Sequence, residues 1–378
     1  MVGIISKPDT QQKLELLSTD AQYDLACACG SAKDEHRRRS SRGKWIYPVT
    51  LPNGGTSVLF KTLISNACSS DCKYCPLRSN MDTRRCTLSP DEAAKVFMDY
   101  YTGGLVSGLF LSSGLTGSAD TAMQRLIDTA SIIRKKHKFR GYIHLKVLPG
   151  ASPAAVEKAV SLSTAVSLNI ETPGAEHLEK LSDRKNFLTD IIEPIKQIRS
   201  LTAKGNRYQR VKQTTQFIVG ASDETDAEIV KYTAALYDRL NLNRIYFSAY
   251  QTGLGDTSLP AEQTSHNAHD NLTREHRLYQ VDFLLRKYGF KGDEIPFEED
   301  GRLSLTTDPK QSWADSHPET FPLNINYAPK HLLLRVPGLG PVTVSRILQH
   351  RRRSKLHCIR DIAKPNKRLA KAEKYITF

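Results

Sequence analysis

From residue 58 onward the chain alternates short apolar runs with longer segments whose apolar positions recur every three or four residues. The short runs predict buried strands over 58–64, 109–111, 142–147, 165–170, 214–219 and 245–250. Between them the helical period predicts helices over 89–101, 121–136, 187–201 and 223–240, with another opening at Ser152-Pro153. Ser89-Pro90 and Ser152-Pro153 are one device: a serine caps the first free N–H groups, and the proline that follows lacks an N–H where none is needed. Gly103-Gly104 stops the first helix. Strands that alternate with helices argue for a parallel sheet with right-handed crossovers, and such sheets carry ligands at the C-terminal ends of their strands.

Outside this α/β body the pattern changes. Residues 1–56 read as an extension, with Leu14, Leu16, Leu17, Tyr23 and Leu25 spaced for a short amphipathic element. A polar, basic loop at 31–43 follows, carrying Arg37, Arg38 and Arg39. The stretch 260–271 is polar, and its His266 and His269 read as exposed side chains rather than ligands. Leu278, Val281, Leu284, Leu285 and Tyr288 give a helix over 273–288, ended by Gly289. Residues 290–325, rich in Pro, Asp and Glu, read as irregular structure packed over the body. The last segment reads as helix at 333–336, the tight turn Pro337-Gly-Leu-Gly-Pro341, and helix at 342–350, with further helical content at 356–363 and 368–375. The expected organisation is an extension (1–56), an α/β body (57–259), a linker with a packing helix (260–326) and a small all-α module (327–378).

The densest chemistry is Cys68-Ser-Ser-Asp-Cys72-Lys-Tyr-Cys75, immediately after the first apolar run. One loop can aim all three thiols at a common point. Three thiolates are one short of the usual set for tetrahedral zinc or a fully ligated iron–sulfur cluster, so a cubane held this way keeps one iron open to another ligand. The competing reading is a structural zinc that borrows a fourth ligand such as Cys86, although zinc sites generally place their cysteines in two separated pairs. Cys27 and Cys29 stand too close for an ordinary zinc pair; a second cluster or a structural role are their alternatives.

Seven cysteines in no framework spacing fit a reducing compartment better than a disulfide scaffold. No run approaches a membrane span and the N-terminus lacks a secretory pattern, which points to the cytoplasm. Of the formal charge of +14, +11 falls on 330–378 and only +3 on the rest. A near-neutral body with a basic end is the distribution of an enzyme that carries a polyanion-binding module. Gly338 and Gly340 let the turn backbone approach a phosphate closely, and Arg346, Arg351, Arg352, Arg353 and Lys355 surround it with positive charge.

The cysteine loop, with Tyr74 in the aromatic slot, resembles the C-x-x-x-C-x-aromatic-C signature of the radical SAM superfamily. The resemblance implies a partial (β/α)6 barrel in which Cys68, Cys72 and Cys75 hold a [4Fe–4S] cluster and S-adenosylmethionine binds the open iron. One-electron cleavage then yields a 5′-deoxyadenosyl radical that takes hydrogen from a substrate. Flavodoxin or ferredoxin would donate the electron. Cofactor contacts fall on Tyr74 in the loop, on Ser112, Ser113 and Gly114 after the second strand, on Lys146, on Glu171 near the ribose, and on Gln216 and Ser248. The superfamily often has Gly-Gly-Glu where Ser112-Ser113-Gly114 stands, so the acid is missing here. Arg184 and Lys185 join Lys146 as candidates for the cofactor carboxylate.

The runs at 110–114, 141–146, 149–153, 274–280 and 334–338 resemble the subgroup of DNA modification/repair radical SAM proteins with a C-terminal helix-hairpin-helix. That resemblance covers 23–378 and implies an enzyme that docks on DNA, beside a DNA-repair protein as a further partner. Two alternatives remain open: a radical SAM enzyme acting on RNA or protein, and a non-enzymatic nucleic-acid-binding sensor with a zinc or iron–sulfur centre.

Overall fold

The structure, a computed structural model, describes residues 8–24, 43–50, 55–263, 268–364 and 366–378. The chain divides into two units, Met1–Glu224 with Leu236–Leu272, and Thr225–Ala235 with Thr273–Phe378.

The first unit is built on a seven-stranded sheet in simple sequential order. Its strands are β1 (Ile46–Thr50), β2 (Thr56–Leu63), β3 (Gly108–Ser112), β4 (Tyr142–Lys146), β5 (Ala165–Ser167), β6 (Lys212–Val219) and β7 (Arg244–Ala249). β2 to β7 run parallel, as the alternating pattern predicts. β1 pairs antiparallel with β2, so residues 46–50 join the sheet and are not part of a separate extension. Pro48 lacks an N–H for a ladder and is tolerated because β1 is an edge. β5 ends at Ser167, short of the expected 170; the backbone runs on irregularly to Glu171, which bridges Phe217.

The helices, in chain order, are α1 (Thr10–Asp20), α2 (Pro90–Thr102), α3 (Ala119–Ser131), α4 (Pro153–Leu162), α5 (Ala175–Leu181), α6 (Glu193–Leu201), α7 (Asp226–Leu240), α8 (Pro260–Gln263), α9 (Ala268–Phe283), α10 (Pro309–Asp315), α11 (Lys330–Leu333), α12 (Pro341–His350) and α13 (Lys367–Ala372). Ser89 and Ser152 cap α2 and α4 as expected, and Glu92 returns a bond to the Ser89 N–H. α3 starts two residues before the expected 121 because Ser118 caps it, and its C-terminal end widens into a π-helical turn at Ile132–Lys136. α5 was outside the expected set: it is two turns long and opens on Gly174, with no side-chain cap to announce it.

Side-chain alternation gives the sheet two different faces. Phe60, Leu109, Leu111, Ile143, Phe217 and Phe247 are buried on the face that packs against helices, where Phe60 meets Phe97 of α2. Lys61, Phe110, Tyr142, His144, Ser167 and Tyr246 hold the other. Tyr142 of β4 and Tyr246 of β7, three strands apart, sense each other: burial first, and then Tyr246, raises the Tyr142 phenol above its ordinary range. Such reach across non-neighbouring strands makes this the concave face of a curled sheet, a half-barrel that stays open between β1 and β7.

In the second unit a core of Val336, Leu339, Val344, Ile347 and Leu369 gathers α11, α12 and α13. The expected all-α character is corrected by a short parallel ladder between β8 (Leu323–Asn324) and β9 (Ile376–Thr377). Within 356–363 only a 3-10 turn forms, at Ile359–Asp361. α10 lies inside the stretch expected to be irregular, started by Asp308 as N-cap and Pro309 after it. Gly289 ends the helical run from α9 in the left-handed conformation, as predicted.

Candidate active site

β2 delivers the chain to the cysteine loop at the C-terminal edge of the parallel sheet, and the loop is then fixed by its backbone. Gly114 donates to Ser65 O at 2.6 Å, and a Cβ there would lie 2.5 Å from Ala67 O. Ser112-Ser113-Gly114 therefore works through close approach: glycine lets the β3 end press on the residue before Cys68. The Ser113 hydroxyl donates to Gly114 O. Ser69 donates twice to Leu115 O, and Arg184 Nη1 donates to Ser69 O at 2.6 Å. Asp71 accepts from Ser182 and from the Asp183 N–H; burial opposes its charge, yet these bonds hold its carboxyl below the ordinary range. Arg78 bridges Cys75 O, Leu254 O and Gly255 O, and Asp256 N–H donates to Lys73 O.

Inside this frame lies a small set of buried polar groups. Lys185 Nζ stands 3.8 Å from Glu171 Oε1 and 5.8 Å from the Tyr74 ring centroid, and it is electrostatically coupled to Cys72. Burial works to strip its proton, but Cys72 and Glu171 beside it outweigh burial and hold its pKa above the ordinary range. Tyr74 is half-buried against Glu171, and burial, then that carboxylate, holds its phenol well above the usual value. Glu171 itself has a φ of 65°, a left-handed backbone rare for a residue with a Cβ, held because its N–H donates to Gln216 O and its carbonyl accepts from Ile218. Strain locked in by neighbours at a strand end is a common mark of a working site.

The thiols themselves sense one another. Burial first, then Cys72 and Cys68, pushes the Cys75 thiol up to about 12. Among the described residues no three His, Cys, Asp or Glu side chains close to metal-ligating distance. Cys72 Sγ contacts Ser70 Oγ at 3.2 Å and Cys75 Sγ accepts from the Leu77 N–H at 3.4 Å, contacts that a ligating thiolate can keep. The donor set fits an iron–sulfur cluster: three thiols on one loop, a buried ammonium on Cys72 and an N–H on Cys75 to stabilise negative sulfur. Cys86 does not join them; its thiol faces Lys13 O at 3.8 Å. Cys27, Cys29, Arg37, Arg38, Arg39 and His266 lie outside the described residues.

Ser112, Lys146, Gln216 and Ser248 all occupy concave-face positions by register. The two candidates beside each other in sequence separate: Arg184 holds the loop backbone, whereas Lys185 faces Cys72 and Glu171. Sequence reasoning missed Lys61, His144 and the clamp of Arg85, which donates to Asn66, Leu77, Arg78 and Met81 carbonyls. An apolar strand interrupted by one lysine or histidine was the available signal.

In the second unit, Arg346, Gln349, His350, Arg352, Arg353, Asp361 and Ile362 line a groove of about 560 Å³. Lys355 is exposed nearby in sequence. Arg351 departs from the expected set: it donates to Ile325 O and Ala328 O and braces a loop. Gly338, with φ 85°, also answers to packing, because a Cβ would meet Arg368 O at 2.1 Å. At Gly340 a Cβ would meet only the Tyr288 hydroxyl, at 3.4 Å.

Residues 62–236 match the Radical SAM superfamily. No protein of curated function matches the chain. Among solved structures it is similar to HydG, a maturase of the [FeFe]-hydrogenase, at 13% identity with 59% of this chain and 49% of that one covered and a TM-score of 0.44. For HydG from Carboxydothermus hydrogenoformans the values are 14%, 60%, 51% and 0.47. For methylornithine synthase (PylB) they are 14%, 59%, 63% and 0.45. The chain thus spans between about half and three-fifths of the length of these structures. The superfamily uses a [4Fe–4S] cluster and S-adenosylmethionine. Among the described residues no helix is long and apolar enough to cross a membrane.

Proposed function

With residues 62–236 forming a radical SAM superfamily domain, we propose that the chain is an enzyme that acts on DNA, docked through the basic groove of its second unit. Cys68, Cys72 and Cys75 would hold the cluster. With S-adenosylmethionine bound, that pair supplies one-electron hydrogen-abstraction chemistry. The chain's own work is positional. Lys185 keeps positive charge against Cys72, Glu171 and Tyr74 present a carboxylate and a phenol beside it, and Arg78 ties the loop to the 254–255 backbone that follows β7.

The observation that supports DNA is the groove itself, where exposed Arg352 and Arg353 sit with Arg346 and His350. Arginine forks match phosphate oxygens and read no sequence. Titrating duplex DNA, single-stranded DNA and duplex RNA at several salt concentrations tests the reading. DNA should bind more tightly than RNA, with a salt slope that shrinks in an Arg352→Glu, Arg353→Glu double variant. Preference for RNA, or an unchanged slope, would remove DNA as the target.

A further inference from the structure

We infer that the groove of the second unit holds an unpaired stretch of DNA strand, with phosphates on its arginines and a base turned into the groove; this rests on the DNA reading above and names the form of DNA that the groove takes. Arg346, Gln349 and His350 share one face of α12, and Arg352 and Arg353 follow in the turn beyond it. Asp361 and Ile362, at the end of the 3-10 turn, complete the lining. The side chains of Arg346, Gln349, Arg352 and Arg353 are exposed and form no hydrogen bond or ion pair with another described residue. Arg351 among them is occupied by Ile325 O and Ala328 O. Asp361 accepts from the His357 N–H at 2.7 Å and the Cys358 N–H at 3.1 Å, and these bonds hold its carboxyl below the ordinary range. The glycine turn lies at the other end of α12, about 13 Å away along the helix. It is taken up by packing: Arg368 O fills the place of a Gly338 Cβ, and Leu339 O accepts from Lys310.

A surface that holds only duplex phosphates needs cations alone. This one also carries a carboxylate, which repels phosphate, and a carboxamide, which adds no charge. Both pair with base edges: an ionised Asp accepts from a base N–H, and Gln donates and accepts. Ile362, 7% exposed, gives a flat base an apolar neighbour, and an arginine plane can stack on the same base. Shape decides between paired and unpaired. Reading a base edge inside a duplex takes a projecting helix or ribbon that enters the major groove. Here the polar face of α12 instead lines a hollow of about 560 Å³, the size of an ordinary small-ligand pocket. A hollow receives what projects, and a base projects from the strand only when it has left its pair and its stack. A flexible strand also bends to lay neighbouring phosphates on Arg346, Arg352 and Arg353.

The test is fluorescence anisotropy of the reconstituted full-length chain with a mixed-sequence DNA strand that forms no hairpin. An abasic strand of equal length and charge, the matching blunt duplex and the RNA strand of the same sequence run in parallel. The base-bearing DNA strand should bind at least about tenfold more tightly than the abasic strand and than the duplex. Gln349→Ala, at an exposed position with no bond to lose, should shrink the margin over the abasic strand by about threefold or more and leave the salt slope unchanged. Arg352→Glu with Arg353→Glu should weaken both strands and lower the slope. An abasic strand or a duplex that binds as tightly, or a Gln349→Ala loss equal on base-bearing and abasic strands, would each overturn the proposal. An RNA strand that outbinds DNA, with bases still preferred over abasic sites, would remove DNA as the target and leave the unpaired base in the groove. Binding by none of the strands would sink both readings.

Discussion

Around Cys72 the charged groups are half-buried or buried and answer one another: Lys185 against Glu171 and the thiol, Tyr74 against Glu171, Asp71 against Ser182. Around Arg352 and Arg353 the charges face solvent, on short elements, and line an open groove. The first arrangement fixes geometry, because a buried ion that loses its partner is costly and the alternatives are few. The second holds charge ready for a flexible polyanion, and its interactions are weakened by salt. The comparison teaches that residue type alone does not identify a site here. Arg184 and Lys185, or Arg351 and Arg352, are chemical near-equals in sequence with different work in the fold.

The sharpest way to break the comparison is to remove one buried charge. Lys185→Met should lower cluster retention by roughly 10- to 100-fold, as loss of a group that bonds a metal ligand commonly does. Iron release to a chelator measures it, and unchanged release would make Lys185 a bystander. In the groove, the Arg352→Glu, Arg353→Glu pair should make the salt dependence of DNA binding shallower by about two units of slope, with cluster content unchanged. Loss of cluster in that variant would erase the distinction between the two regions.

The two glycines of the turn separate packing from contact. Gly338→Ala should lose about 2 kcal/mol or more of stability in a denaturant melt, since it adds a Cβ at positive φ against a carbonyl. Gly340→Ala, close only to a hydroxyl on a movable side chain, should be mild. Equal effects would contradict the packing role of Gly338. The second unit also carries a pH dependence. Lys310 is buried, donates to Leu339 O and lies over the Tyr288 ring; burial brings its pKa down to about 7, partly offset by Asp308. The unfolded chain holds that proton up to about pH 10.4, so stability of the second unit should rise between about pH 7 and 10. Lys310→Met should flatten that rise, and a fall in the wild type would show that another group dominates.

Much of the first unit could be read from pattern, because six apolar runs each became a parallel strand and two Ser-Pro pairs each became a cap. What escaped had a physical reason. β1 carries a proline, which speaks against a strand until its edge position is known. α5 is short and uncapped by a side chain, and the two-residue β8 and β9 strands exist only through each other. At the site, the cysteine spacing was visible, whereas the pairing of Lys185 with Glu171 depends on a left-handed backbone at a residue where sequence gives no cue. Gly338 was visible as a turn residue, but its neighbour Arg368 is thirty residues away.

The central claim rests on three thiols on one loop. Anaerobic reconstitution with iron and sulfide, then dithionite and S-adenosylmethionine, with 5′-deoxyadenosine as the readout, tests it most directly. The account predicts a [4Fe–4S] spectrum and product from the wild type, and neither from Cys72→Ala. A wild-type chain that takes up zinc in place of the cluster, or that holds a cluster and forms no 5′-deoxyadenosine even with DNA present, would contradict it.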